Sequence, residues 1–189
     1  MSAFTLEDMV LVSVDDHSIE PQDAFLRHFP ASRKDEAPRV ERIGEADVWV
    51  WDGKRYPSMG LNAVVGRPRS EYGMEPNSYS QIREGTYDIK KRIDDMNVNG
   101  VLGSICFPSF PMFAGGVFLD SPNRDLALVT IQAYNDWHVH DWCGAAPGRF
   151  IPNILLPIWD MPATVAEIRR MSALGVHATT FPDNPSIGG

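Results

Sequence analysis

Apolar and polar positions along this chain switch repeatedly between a period of two and a period near 3.6, and the switches mark its elements. Residues 9–15 are a short β-branched run that predicts a buried strand. A stretch rich in Pro, Arg and Asp follows, through Pro21, Pro30 and Pro38, with one helical turn expected over 22–27. Residues 47–57 alternate about Asp52-Gly53 and predict a small hairpin. Residues 58–85 are irregular, and a loop of that length in a compact domain often serves as a lid or a subunit contact. From residue 86 the pattern becomes regular. A helix is expected over 86–96, with Ile89, Ile93 and Met96 on one side, then a buried strand over 101–107 closed by Pro108. A long helix over 123–143, a strand over 150–158, a helix over 162–174 stopped by Gly175, and a strand over 176–181 complete the series.

Strands separated by helices predict a parallel α/β sheet, whose functional groups gather at the carboxyl ends of the strands. Three strand exits are alike, at Phe107-Pro108, Leu156-Pro157 and Phe181-Pro182. Proline stops strands on its own account, so the recurrence says only that one end of the sheet is elaborated each time. The first exit carries the chemistry. Side chains alternate across a strand, so Asp15 and His17 emerge on one side while Asp16 points the other way with Val10, Val12 and Val14. One carboxylate and one imidazole at the mouth of a buried strand form a pair of potential metal ligands. An isolated pair of this kind more often is an Asp capping a turn beside a surface His, and its place after a buried strand shifts the balance. Phe107, Phe110, Phe113 and Phe181 near strand exits could wall an apolar pocket, and a plain core role fits them as well.

Composition narrows the classes. Hydrophobic residues make up 43% and charged residues 22%, which argues for a globular chain and against disorder. The net charge of -8 disfavours a nucleic-acid partner. Cys106 and Cys143 lie far apart in apolar surroundings and read as buried free thiols. No signal-peptide pattern opens the chain and no apolar run approaches a membrane span, so a cytoplasmic protein with no membrane partner is expected.

Other conspicuous residues have plainer readings. His138 and His140 on one helix point to opposite sides and cannot share an ion, with His140 expected to pack and His138 to be solvated. His177 falls at the start of its strand, the wrong end for catalysis, and His28 is ambiguous. Trp49, Trp51 and Tyr56 read as a small packing cluster, and Arg92 to Asp95 as a solvated helix face. Gly115-Gly116 lacks the frame of a phosphate loop, and neither cysteine sits beside a histidine that would activate it.

Val12 to Pro21 (Val-Ser-Val-Asp-Asp-His-Ser-Ile-Glu-Pro) resembles the opening of the amidohydrolase-related family of the amidohydrolase superfamily, which includes aminocarboxymuconate-semialdehyde decarboxylase and the resorcylate-type decarboxylases. Ala133 to Trp137, Gly148 to Pro152, and Gly175 to Asn184 are similar to segments found in the same order in that family. The resemblance covers nearly the whole chain as one domain, apart from an insertion at 30–85.

The resemblance implies a (β/α)8 barrel of the TIM type, of which this chain supplies about the first four β/α units. It implies one divalent metal, Zn or Mn, at the carboxyl face, with Asp15 and His17 as its first two ligands. A carboxylate at position 15 resembles the decarboxylase-type sites more than the dinuclear ones. The remaining ligands and a catalytic Asp would lie beyond Gly189, so the chain is expected to be half of a barrel with sheet edges and apolar faces uncovered. The implied activity is a metal-dependent, non-oxidative carboxy-lyase or a hydrolase acting on a small carboxylated aromatic or unsaturated substrate. Relatives imply a homo-oligomer. The contrasting expectation is a truncated, catalytically incompetent homologue retained as a structural or partner subunit.

Overall fold

A computed structural model describes residues 5, 8–57, 63–72 and 77–183 of the chain. Two of its strands set the frame, β1 (Leu11–His17) and β5 (Val101–Phe107), which pair in parallel with β6 (Phe150–Ile151) on the far side of β5. A second parallel ladder joins β7 (Asn153–Ile154) to β8 (Ala178–Thr179). Pro152, which has no N–H to give, separates β6 from β7 in what the pattern had suggested was one strand. The fold is therefore mixed α/β with parallel pairing, and among the described residues the strands do not close into a barrel.

The segment between β1 and β5 contains more order than its composition suggests. Helix α1 (Ala24–His28) is followed by an antiparallel meander of β2 (Arg39–Ile43), β3 (Ala46–Trp51) and β4 (Lys54–Tyr56). The expected turn at Asp52-Gly53 joins β3 to β4, with both residues at positive φ as a tight primed turn requires. Helix α2 (Ile89–Val98) is capped by Asp88, whose carboxylate accepts the N–H groups of Lys90 and Lys91. After β5 come α3 (Gly116–Leu119), α4 (Arg124–Asp136) and α5 (Met161–Ser172). None of these helices is long and apolar enough to cross a membrane.

The core lies between the meander and the helices. Trp49 stacks on Phe110 at 4.7 Å between ring centres, and Phe25 meets both rings edge-on at 5.6 Å. Trp51 is buried too, and its indole N–H donates to the Thr130 hydroxyl of α4 at 3.1 Å. The packing role expected for the meander tryptophans is what the structure shows. Cys106 and Cys143 are free and buried, as expected.

Three expectations are corrected. The long helix after Asn123 is α-helical only to Asp136, and Trp137–Cys143 continue as wider π turns, with the Gly144 N–H bonded to the carbonyl of Val139 five residues back. That change of pitch rotates the side chains, so His138 is fully buried and His140 exposed, the reverse of the expected pair. Second, β1 is not buried. Leu11 is 51% exposed and Val14 71%, and β5 is its only partner strand among the described residues. Third, Arg92 and Asp95 are not a solvated face, since both make ion pairs described below or with Arg83. The loop expected over 58–85 lies partly outside the described residues, as does Asn184.

Candidate metal and substrate site

The exit of β1 is irregular in a way that matters. Ser13 pairs with Ser104 and Asp16 with Cys106, so three steps along β1 match two along β5. An opposite irregularity between Leu11 and Val12 restores the register, and His17 ends opposite Phe107. Asp15 and His17 emerge together, with His17 Nε2 3.9 Å from Asp15 Oδ1 and side chains that are 64% exposed for His17 and 87% for Asp15. The His17 ring lies 6.0 Å from that of Phe107.

Asp16 turns to the opposite side and is held there. Its Oδ2 accepts the Ser104 hydroxyl at 2.7 Å and pairs with Arg92 Nη2 at 2.6 Å, while its Oδ1 accepts the His17 N–H at 2.9 Å. The same Arg92 nitrogen donates to the His17 carbonyl at 3.0 Å. A helix residue thus ties the strand exit from behind, fixing the peptide that carries the exposed pair. Arg92 lies three residues after Ile89 and four before Met96, on the apolar side of α2, and that placement is the signal a sequence reading could have used.

These groups border a cleft of about 300 Å3 lined by Asp15, Asp16, His17, Ile19, Thr86, Arg92 and Ser109. Below it, Glu20 is fully buried, and its two carboxylate oxygens accept the N–H groups of Ser109 at 3.0 Å and Phe110 at 2.9 Å. Burial pushes the Glu20 carboxyl up to about 7, against the pull of those N–H groups. Neither Glu20 nor Asp16 was singled out as a site residue from the sequence.

The other expected pocket residues fall apart in space. Phe110 is buried in the aromatic core, Phe107 is partly buried beside His17, and Phe113 and Phe181 are 62% and 53% exposed. His28 sits by Asp141 at 3.1 Å, away from the β1 exit, and His177 is exposed. One contact was missed altogether. Cys143 Sγ lies 3.6 Å from His138 Nε2. Burial pulls the imidazole down to about 4 and pushes the thiol up, so the two remain neutral together and form no thiolate–imidazolium pair.

Asp15 and His17 fit a divalent ion as far as two ligands go: an oxygen and an imidazole nitrogen on one side, within the reach of a shared ion, open to a cleft. Among the described residues no group of three His, Cys, Asp or Glu side chains gathers about one point.

No known family's sequence description matches the chain, and no curated protein matches it in sequence. In three dimensions it is similar to a crystallographically determined amidohydrolase from Mycobacterium avium subsp. paratuberculosis K-10, with 17% identity and a TM-score of 0.66. The match covers 88% of this chain and 47% of that one, so the chain spans about half the length of its structural neighbour. The likeness is one of fold, to about half of that protein.

Proposed function

We propose that this chain carries the first part of a metal site in an enzyme of the amidohydrolase superfamily, with Asp15 and His17 as two ligands of one Zn or Mn ion. The observation that carries the reading is their joint emergence at the carboxyl end of β1, over a cleft, in an amidohydrolase-like fold. The ion would serve as a Lewis acid toward a substrate oxygen. The chain's own groups hold the frame: Arg92 and Ser104 fix Asp16, Asp16 fixes the His17 N–H, and the ligand pair is left free on the other side. The reaction class is a non-oxidative decarboxylation or a hydrolysis of a small carboxylated aromatic or unsaturated compound. Phe107 beside His17 supports an unsaturated ring in that place.

A second reading is favoured by the openness of the pair. Asp15 is 87% exposed and no third ligand joins it among the described residues, which suits a subunit that does no chemistry alone. Titration calorimetry with Mn2+ and Zn2+ separates the two. The first reading expects saturable binding of one ion that Asp15→Ala and His17→Ala each weaken at least tenfold. Binding that neither substitution alters, or none at all, leaves the second.

A further inference from the structure

The loop leaving β5 reads Phe107-Pro108-Ser109-Phe110-Pro111, and proline has no amide hydrogen. Between the two prolines the backbone therefore offers two N–H donors, those of Ser109 and Phe110. Both go to one group, the Glu20 carboxylate, one to each oxygen. Glu20 is fully buried, and charged carboxylates are rarely buried without a cation beside them. Burial, and after it the charge of Glu20, push the phenols of Tyr79 and Tyr134 further toward the neutral form, and the Tyr79 hydroxyl donates to the Glu20 carbonyl.

More bonds join the same two segments. The Ser109 hydroxyl donates to the Ser18 carbonyl at 2.9 Å, and the Ser18 N–H to the Phe107 carbonyl at 3.1 Å. Just beyond, Met112 and Ala114 are held at φ of 60 and 52, a region that non-glycine residues seldom occupy. A loop with such backbone needs an anchor on its near side. Phe110, stacked in the aromatic core, supplies one end of it, and Glu20 supplies the other.

We propose that Glu20 is a positioning residue: from inside the fold it holds the loop after β5 against the exit of β1, and so places Ser109 in the cleft beside Asp15 and His17. The proposal rests on the reading of that cleft as the substrate site. It makes Ser109, with Thr86 and Arg92, one of the polar groups a substrate meets in the cleft that the Asp15–His17 pair borders. Glu20 itself touches no substrate.

Amide hydrogen exchange of the 189-residue chain, followed by NMR without added metal, tests this directly. In Glu20→Gln, which keeps one acceptor oxygen, exchange at Ser109 and Phe110 is expected to speed up at least about tenfold, with α4 amides unchanged. In the wild-type chain, protection at these two amides, corrected for intrinsic exchange, is expected to rise on acidification through about 7, because opening the loop to water returns the buried Glu20 carboxyl to its ordinary range, and Glu20→Gln should lack that step. Protection that does not change in the variant, or a pH profile common to both proteins, overturns the proposal. Should the variant not fold, the wild-type pH profile decides alone. These readouts involve no metal: a failed ion titration with the exchange pattern intact removes the functional reading only, and the converse removes the latch only.

Discussion

The β1–β5 ladder has two sides that differ in almost every physical respect. Toward the helices and the meander, Cys106 of β5 joins a core in which Trp49, Trp51, Phe110 and Phe118 are all but sealed from solvent. Away from that core, Leu11, Val14 and Leu102 are more than half exposed, and the Asp15–His17 pair stands in the open. The contrast separates two duties. Stability is concentrated where no ligand is held, and the candidate ligands occupy positions on which folding hardly depends.

The sharpest way to break that contrast is in the sealed side. Trp49→Ala should cost about 3 kcal/mol by urea denaturation, toward the low end for a large core residue because the lost indole N–H had no partner. A loss under 1 kcal/mol would mean that the meander does not share in the cooperative fold.

Next in size is a pair of opposed titrations on the same side. The Glu20 carboxyl, raised from 4.5 to about 7, stabilises the fold when protonated, a contribution complete below pH 4.5 and lost as the pH rises through 7. His138, lowered from 6.5 to about 4, does the reverse: its contribution is present above pH 6.5 and lost as the pH falls through 4. Each is worth on the order of 3 kcal/mol, so between pH 4.5 and 6.5 they nearly cancel in the wild-type chain. Glu20→Gln should expose the histidine's slope as a steep loss of stability on acidification. Wild-type and variant stabilities that run parallel from pH 7 to 4 would refute the pairing.

At the boundary, Asp16→Ala should cost about 2 kcal/mol, since it leaves the largely buried Arg92 guanidinium without its carboxylate. It should also weaken Mn2+ binding without removing a ligand. Smallest of all, Asp15→Ala and His17→Ala should each shift stability by no more than about 0.5 kcal/mol while weakening ion binding at least tenfold. A larger loss of stability from either would give the open pair a structural duty and blur the contrast.

Regular repetition made much of this legible from the residues. The strand at Val101–Phe107 emerges with the expected ends, and α5 within a residue or two, because each has one continuous pattern and a proline or glycine to stop it. The joint emergence of Asp15 and His17 followed from strand alternation alone. What was not legible depended on partners. Asp16 could be read only as pointing away from the pair, and its partner appears once α2 brings Arg92 to it. β2, Arg-Val-Glu-Arg-Ile, carries too much charge to announce a strand and is ordered by pairing with the apolar β3. The exposure of β1 could not be read from Val10, Val12 and Val14, whose pattern states what they would bury if covered.

The tryptophans have a practical consequence. Of the five in the chain, Trp49, Trp51, Trp137 and Trp142 are buried in the aromatic core, Trp159 packs against it, and none lines the cleft at the β1 exit. Intrinsic fluorescence is therefore a reporter of one side of the molecule. It will follow the melting of the sealed core faithfully and stay dark to events at Asp15 and His17, so a tryptophan placed at Phe107 would give the silent side a signal of its own.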